Sequence, residues 1–184
     1  FSTGGVERMQ ITNSGVSGTG IGAGKVLQVI STKTTSANTT SNASAGNYYP
    51  LTSDAITVTS GSTLYVFANY HYWVQDVNSN IIYGTQGLEY EIGASGSWST
   101  LRASGSYESY SCATVNAGGG APGDYINQIA DIASLNGILT HGQNTGTTIK
   151  ARIKHNHQVP NPAGLLSFQR TGIETNIIIY EVAA

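Results

Sequence analysis

The stretch covering residues 62–77 constrains the fold more than any other part of the sequence. If it is an extended strand, one face carries Leu64, Val66, Ala68, Tyr70, Tyr72 and Val74. The opposite face carries Tyr65, Phe67, His71 and Trp73. A strand that packs on a core with one face and meets water with the other alternates apolar and polar residues. Because both faces here are largely apolar, the pattern predicts that a second subunit covers one of them.

The last strand of the chain shows the same property. In residues 175–182, Ile177 and Ile179 point to one side, while Ile178, Tyr180 and Val182 point to the other. Burying apolar surface contributes roughly 25 cal/mol per Å², and a closed symmetric assembly leaves no exposed apolar patch. We therefore predict an oligomer, whose interface candidates are Tyr65, Phe67, His71, Trp73, Ile178 and Tyr180.

The remaining pattern predicts an all-β fold, a jelly-roll-like sandwich. Short β-branched or aromatic runs alternate with Gly, Ser and Asn clusters, and the runs cover residues 25–34, 55–59, 62–77, 87–92, 147–157 and 175–182. Residues 31–47 and 117–123 are predicted to be loops. Residues 124–139 fit two interpretations, because their isoleucines recur at helical spacing but also fit a strand followed by a loop.

The amino-acid composition argues against several kinds of binding partner. Only 10% of the 184 residues are charged and the net charge is −2, which argues against a nucleic-acid partner because such binding needs clustered Lys and Arg. No apolar run is long enough to predict membrane insertion. The single cysteine, Cys112, excludes a disulfide within the chain, and no sequence motif indicates a cofactor.

The N-terminal residues resemble the stalk repeat of bacteriophage tail fibres, "GG-x-ERM-x-I … SG … GIG". The resemblance is carried by Thr3-Gly4-Gly5-Val6-Glu7-Arg8-Met9-Gln10-Ile11, then Ser14-Gly15 and Gly20-Ile21-Gly22. From Lys25 onward the chain is similar to the C-terminal heads of marine and cyanobacterial phage fibres, which are jelly rolls of the C1q and tumour necrosis factor type. The resemblance implies a homotrimer, with residues 1–24 as a stalk repeat or linker and residues 25–184 as the head.

Two histidines raise the question of a metal site. His155 and His157 lie in phase with Ile149, Ala151 and Ile153 on a predicted strand, so they should follow the buried face. In phage fibres, a His-x-His pair repeated around a threefold axis offers six imidazoles to one metal ion, and imidazole suits iron, zinc or nickel. The alternative, which we favour from the sequence, is two solvent-facing histidines at a strand end.

Two acids raise the question of an enzyme. Glu89 and Glu91 share one strand face, roughly 7 Å apart, and glycosidases need a pair of separated carboxylates. They lie opposite the apolar residues of the strand, where acids usually keep a sheet soluble, and nothing nearby indicates a raised pKa. We therefore expect solvated carboxylates and no enzymatic activity, with a glycan-cleaving depolymerase as the less favoured alternative.

Aromatic side chains are the candidates for recognition. Sugar faces and protein surfaces bind favourably to exposed rings, and the candidates here are Tyr48, Tyr49, Trp98, Tyr107 and Tyr110.

Together, the resemblance and the composition predict a virion protein on the particle surface. It would contact a host-surface glycan or protein and would join other virion proteins through its N-terminal segment. A capsid decoration or head-fibre protein with a purely structural role is the alternative.

Overall fold

The computed structural model describes most of the head and short pieces of the N-terminal segment. The described residues are 2–3, 6–7, 10–12, 15–17, 24–36, 38–41, 46–76, 82–103, 110–113, 127–158, 165–168 and 173–184. Side chains are described for residues 24–36, 46–72, 85–103, 132–157 and 173–184.

Within these residues every regular element is a strand, which confirms the all-β prediction. In chain order the strands are β1 (Ser2–Thr3), β2 (Val6–Glu7), β3 (Gln10–Thr12), β4 (Gly15–Ser17), β5 (Val26–Thr34), β6 (Asn38–Ser41), β7 (Gly46–Tyr48), β8 (Ile56–Thr57), β9 (Thr63–Asp76), β10 (Ile82–Ile92), β11 (Trp98–Arg102), β12 (Tyr110–Ala113), β13 (Asn127–Thr140), β14 (Thr148–Gln158), β15 (Leu165–Phe168) and β16 (Thr175–Val182). A search of the described residues finds no helix long and apolar enough to cross a membrane.

One sheet of the head, sheet I, is built around β9. Strand β13 pairs antiparallel with β9 from Asn127↔Asp76 to Thr140↔Thr63. The other edge of β9 is shared, because β16 pairs with its first half and β15 with its second. Strand β5 follows β16, and β6 follows β15. The long strand β9 therefore holds the sheet together.

The second sheet, sheet II, has β10 and β14 at its centre. Their register runs without interruption from Tyr83↔Gln158 to Ile92↔Ile149. Strands β11 and β12 share the outer edge of β10, and β7 and β8 share the outer edge of β14. Two antiparallel sheets of this kind form a jelly-roll-like sandwich, as the sequence predicts.

The core lies between the sheets and is filled by residues that alternate along their strands. Leu64, Val66, Ala68, Tyr70 and Tyr72 of β9 are all at most 2% exposed, which confirms the inward face predicted for this strand. The remaining apolar core side chains are Ile56, Val58, Leu88, Leu135, Leu139, Ile149, Ala151, Ile153, Ile177 and Ile179. Burial of these side chains is the main stabilising contribution to the fold.

Residues 127–140 form a strand, so the helical interpretation of this region is wrong. Leu135 and Leu139 are buried, whereas Ile132 and Ile138 are 59% and 63% exposed. The helical spacing is misleading because alternation places half of the apolar residues on an outer face. Pairing with β9 along the whole strand satisfies the backbone groups on that edge of β13, and it overrides a weak periodic signal.

The prediction of a loop over residues 31–47 is also wrong in part. Residues 31–34 belong to β5, which confirms the strand predicted over residues 25–34, whereas residues 38–41 form β6 and residues 46–48 form β7, contrary to the predicted loop. Threonine is β-branched and suits a strand, so a Ser/Thr-rich stretch can add edge strands to both sheets. The predicted loop at residues 117–123 lies outside the described residues.

In the described part of the N-terminal segment, the chain pairs locally. Strand β1 pairs with β2, and β3 pairs with β4, each as a short antiparallel hairpin. The assignment of residues 1–24 to a stalk repeat or linker stays a prediction.

Both ends of the head lie at one pole of the sandwich. The Gly24 amide donates to the Ala183 carbonyl at 2.9 Å, and the Ala183 amide donates to the Lys25 carbonyl at 2.9 Å. Val182 pairs with Thr63, where β9 begins, so this pole also holds the first residues of the central strand.

Close packing between β11 and β13 yields a test of the core. A Cβ atom at Gly137 would lie 2.7 Å from Leu101 Cγ, closer than real carbon atoms approach. We expect Gly137→Ala to lower the free energy of unfolding by about 1–3 kcal/mol through overpacking. Gly137→Ala should lower the free energy of unfolding by less in a Leu101→Ala background than in the wild type, because the smaller side chain removes the clash. Chemical denaturation of the wild type, both single variants and the double variant measures this difference as a double-mutant cycle. Strictly additive losses would contradict the contact.

Candidate functional site

The outer face of sheet II carries a charged cluster centred on Glu89. Because β10 and β14 pair in register, Glu89 lies directly opposite Arg152. Both Nε and Nη2 of Arg152 donate to Glu89 Oε2, at 2.8 and 2.6 Å, and Lys154 Nζ donates to Oε1 at 2.9 Å. All three groups project from the central strands, so their positions are fixed by the sheet.

The expectation that Glu89 and Glu91 are solvated is wrong. Each is only 7% exposed, although both lie on the face opposite the core, as expected. The long side chains of Arg152 and Lys154 cover Glu89. Glu91 instead turns towards the β10–β11 turn, where its Oε1 accepts from the Gly96 amide at 2.5 Å.

The electrostatics of Glu89 do not favour acid catalysis. Burial alone would raise the pKa of this carboxyl, but hydrogen bonds and charges from Lys154 and Arg152 outweigh burial and hold its pKa below the ordinary value. A glycosidase acid needs a raised pKa, so that it carries a proton to donate near neutral pH. Glu89 is an ionised partner for two cations, and the absence of enzymatic activity stays an expectation.

Two of the predicted recognition aromatics meet at this cluster. The Arg152 guanidinium carbon lies 3.7 Å from the Tyr49 ring centroid and 4.0 Å from the Trp98 ring centroid. Tyr49 follows β7 and Trp98 begins β11, so sheet pairing brings together residues that are 49 positions apart in the sequence. Tyr49 is 43% exposed and Trp98 is partly exposed, so both rings reach the solvent. We call Glu89, Arg152, Lys154, Tyr49 and Trp98 the stacked-arginine cluster.

The other recognition candidates are not part of this cluster. Tyr48 is half-buried and packs against the core, with its ring edge towards His157 at 6.1 Å between centroids. Tyr107 lies outside the described residues, and so does the side chain of Tyr110 on β12. A role for any of the five in receptor binding stays a prediction.

The outer face of sheet I has the opposite character around the first half of β9, where its side chains are mostly apolar and contiguous. Strand register places Ile138, Tyr65, Tyr180 and Val29 side by side across four strands. In the next row, Phe67 pairs with Ile178. We call the outward side chains around these two rows the apolar face, and their members are Val26, Val29, Tyr65, Phe67, Ile138, Ile178, Tyr180 and Val182.

Much of the apolar face is open to solvent in the single chain. Val26 is 54% exposed, Val29 49% and Phe67 43%. Phe67 and Tyr180 pack edge to face, with centroids 5.8 Å apart, beside an open depression of about 410 Å³. A contiguous group of exposed apolar side chains is a candidate interaction surface. Four of the six predicted interface residues, Tyr65, Phe67, Ile178 and Tyr180, lie here.

The other two predicted interface residues differ. His71 occurs on the same strand face but is only 5% exposed within the single chain. The side chain of Trp73 lies outside the described residues.

The paired histidines point into the core, so the favoured prediction of solvent-facing histidines is wrong. His155 is 1% exposed and His157 is 2% exposed, as their phase with Ile153 implies. The Tyr70 hydroxyl lies 2.9 Å from His155 Nδ1. Burial, together with the nearby His157, lowers the pKa of His155 to about 3, and burial lowers the pKa of His157 to about 4. Both imidazoles are therefore neutral at pH 7.

A search of the described residues finds no group of three or more His, Cys, Asp and Glu side chains arranged to hold a metal. A metal shared by His155 and His157 around a threefold axis stays a prediction, since it depends on neighbouring subunits.

A buried polar cluster that was not predicted from the sequence lies at the pole that holds Gly24, Lys25 and Ala183. Glu181 is 0% exposed, and its carboxylate accepts hydrogen bonds from three groups. Oε1 accepts from the Thr59 amide and the Ser62 hydroxyl, and Oε2 accepts from the Gln28 amide group, each at 2.5 Å. The cluster joins β16, β5 and the turn before β9. Alternation along β16 indicates the burial of Glu181, because this residue lies in phase with the buried Ile177 and Ile179.

A serine, a histidine and a glutamate occur together in this cluster, but their proton arrangement is unsuited to nucleophilic catalysis. Ser62 Oγ lies 3.1 Å from His141 Nε2. His141 Nδ1 accepts the Gln143 amide proton at 3.0 Å, so in the neutral ring Nε2 carries the proton and donates to the serine. A general base must accept the hydroxyl proton instead. Ser62 donates towards Glu181, and the group is best understood as structural.

Comparison with known proteins identifies no family. No protein-family model matches the chain, and no curated protein matches it. One solved structure that matches is that of the infectious bursal disease virus Gx strain, at 12% identity and a TM-score of 0.24. The alignment covers 97% of this chain and 46% of the viral chain, so this chain spans less than half of the length of the viral chain. This likeness is too low to bear on fold or function, and the resemblance to phage fibres stays a prediction.

Because the two core histidines are neutral when folded, stability should depend on pH. The unfolded chain binds protons on His155 and His157 near pH 6.5, whereas the folded chain resists protonation to about pH 3 and 4. The contribution of these histidines to the free energy of unfolding is therefore fully present above pH 7. It falls as the pH drops below 6.5, by roughly 1.4 kcal/mol per pH unit for a fully shifted histidine. We expect urea unfolding at fixed protein concentration to show a smaller loss between pH 7.5 and 5 for His155→Gln than for the wild type. Equal losses would contradict this assignment.

Proposed function

We propose that this chain is a virion structural protein, a fibre head that assembles as a homotrimer and contacts the host surface. The observation that carries the proposal is the apolar face of sheet I. Its aromatic and branched side chains lie on the outer surface of a well-packed sandwich, where a single soluble chain would be expected to carry polar residues.

The energetics favour a subunit as the cover for this face. Burying the exposed part of a large apolar side chain contributes about 1 kcal/mol. Val26, Val29, Phe67 and Ile138 are each about half exposed or more, so together they offer several kcal/mol per chain. A cyclic assembly uses the same face in every subunit and leaves none uncovered.

The choice of a trimer and of a virion rests on the N-terminal and head resemblances. Thr3-Gly4-Gly5-Val6-Glu7-Arg8-Met9 resembles the stalk repeat of phage fibres, whose heads are trimeric. The sandwich fold of residues 25–184 agrees with a jelly-roll head. In such a trimer the stacked-arginine cluster, on the opposite sheet, remains exposed and available for contact with other molecules.

The trimer has a direct test in the molar mass, measured by light scattering on a sizing column. We expect about three times the chain mass of 19.2 kDa. Phe67→Glu should give monomer or aggregate, because it places unpaired carboxylates in an apolar interface, at a cost of several kcal/mol. Ser99→Glu is the matched control, since Ser99 is exposed on β11 of the other sheet, and it should leave the mass unchanged. A monomeric wild type would refute the assembly.

Host attachment has a separate test. Fluorescently labelled protein should bind saturably to the cells of its host, and Phe67→Glu should weaken that binding because monomers lose the avidity of three linked sites. A trimer that binds no cell from a panel of candidate hosts would favour the alternative function, decoration of the capsid without host contact.

A further inference from the structure

We propose that the stacked-arginine cluster binds an acidic polysaccharide, through a sugar ring packed on Tyr49 or Trp98 and a sugar carboxylate held by Arg152 and Lys154. The inference rests on the proposed function, because it names the class of host molecule that the head would recognise. It is carried by geometry, exposure and charge at one place on the outer face of sheet II.

Charge is unevenly distributed between the two outer faces. Lys150, Arg152 and Lys154 alternate along β14 and point outwards, opposite Glu91 and Glu89 on β10. Three cations thus face two carboxylates, which leaves one positive charge in excess. The chain as a whole carries −2, so this face is positive against the overall charge. An excess of positive charge favours the approach of a negatively charged ligand to this face.

Arg152 and Lys154 have more N–H donors than their hydrogen bonds to Glu89 use. Glu89 receives three hydrogen bonds, which use two N–H groups of Arg152 and one of Lys154. A guanidinium has five N–H donors and an ammonium has three. The side chains of Arg152 and Lys154 keep 17% and 23% exposure, so both reach the surface where a ligand would approach.

The site is held in place before a ligand arrives. Glu89 fixes the guanidinium through two hydrogen bonds, and both rings pack on its carbon at 3.7 and 4.0 Å. The Arg152 backbone is bridged to Thr52 as well as paired with β10. A ligand therefore loses little of its binding free energy to ordering of the protein.

These features together favour a sugar acid over other anions. An exposed ring beside a cation presents an apolar surface to the C–H face of a sugar and a donor to its carboxylate. Nucleic acid would need many clustered cations, whereas this site has one charge in excess and two acids nearby. A small inorganic anion would make no use of the rings.

The test uses a galacturonate hexasaccharide and the same hexasaccharide with its carboxyls methyl-esterified. Isothermal titration calorimetry of the full chain at low salt should show binding of the acid form at least tenfold tighter than the ester, and the difference should shrink at 0.5 M salt as charges are screened. Equal affinity for both forms, or binding of neither, overturns the proposal.

Variants locate the site. Trp98→Ala and Arg152→Met should each weaken binding of the acid form at least tenfold, with Tyr49→Ala as a further variant, because Tyr49 is exposed and its loss does not threaten folding. Lys33→Met is the matched control. It removes an exposed cation that pairs with Glu174 at 3.2 Å on sheet I, and it should leave the affinity unchanged. An equal loss in the control, or no loss in correctly folded Trp98→Ala and Tyr49→Ala proteins, overturns the assignment.

The outcome is separable from that of the proposed function. A trimer that binds host cells but not the hexasaccharide refutes the sugar-acid site and leaves the fibre-head proposal standing. A monomer that binds the acid form with the predicted variant effects supports the site and refutes the trimer.

Discussion

Strand β9 is the element on which the rest of the head depends. It is paired along both edges, by β13 on one side and by β16 and β15 on the other, so its backbone groups are satisfied within the sheet. Its inward side chains fill the centre of the core, and its outward side chains supply the middle of the apolar face. One strand thus couples the interior packing of a chain to the surface through which chains would associate.

The chain has few charges, and the two outer faces of the sandwich carry different kinds of side chain. Sheet I presents rings and branched aliphatic side chains, and sheet II presents cations, carboxylates and two rings around Arg152. The division follows from strand alternation, because each central strand has one side committed to the core and only one side free to vary. Association and recognition can therefore occupy opposite sides of the same sandwich without competing for residues.

Period-two patterns predicted much of this arrangement. The sequence of β9 indicated which residues face inwards, since alternation alone decides the side of a strand. The phase of His155 with Ile153 indicated burial, and the favoured solvent-facing alternative is wrong because β14 continues past both histidines to Gln158. Glu181 could have been found in the same way, as an acid in phase with buried isoleucines.

The contacts of the stacked-arginine cluster could not be predicted from the sequence. Glu89 and Arg152 are 63 residues apart, and only the register of β10 on β14 makes them neighbours. Tyr48 and Tyr49 are adjacent and chemically identical, yet one ring lies against the core and the other against Arg152. In so short a strand as β7, no local pattern distinguishes the two. Helical spacing in residues 124–139 misled for a related reason, because the partner strand decides the structure.

The hydrogen bonds between Gly24, Lys25 and Ala183 have a practical consequence for attaching anything to this head. Any chain that precedes residue 24 or follows residue 184 leaves the sandwich at the same pole, next to the first residues of β9. The far end of β9 lies about 43 Å away along the strand. A fusion partner or a surface tether joined directly before Gly24 or after Ala184 would therefore attach at the same pole, at the opposite end of β9 from Asp76.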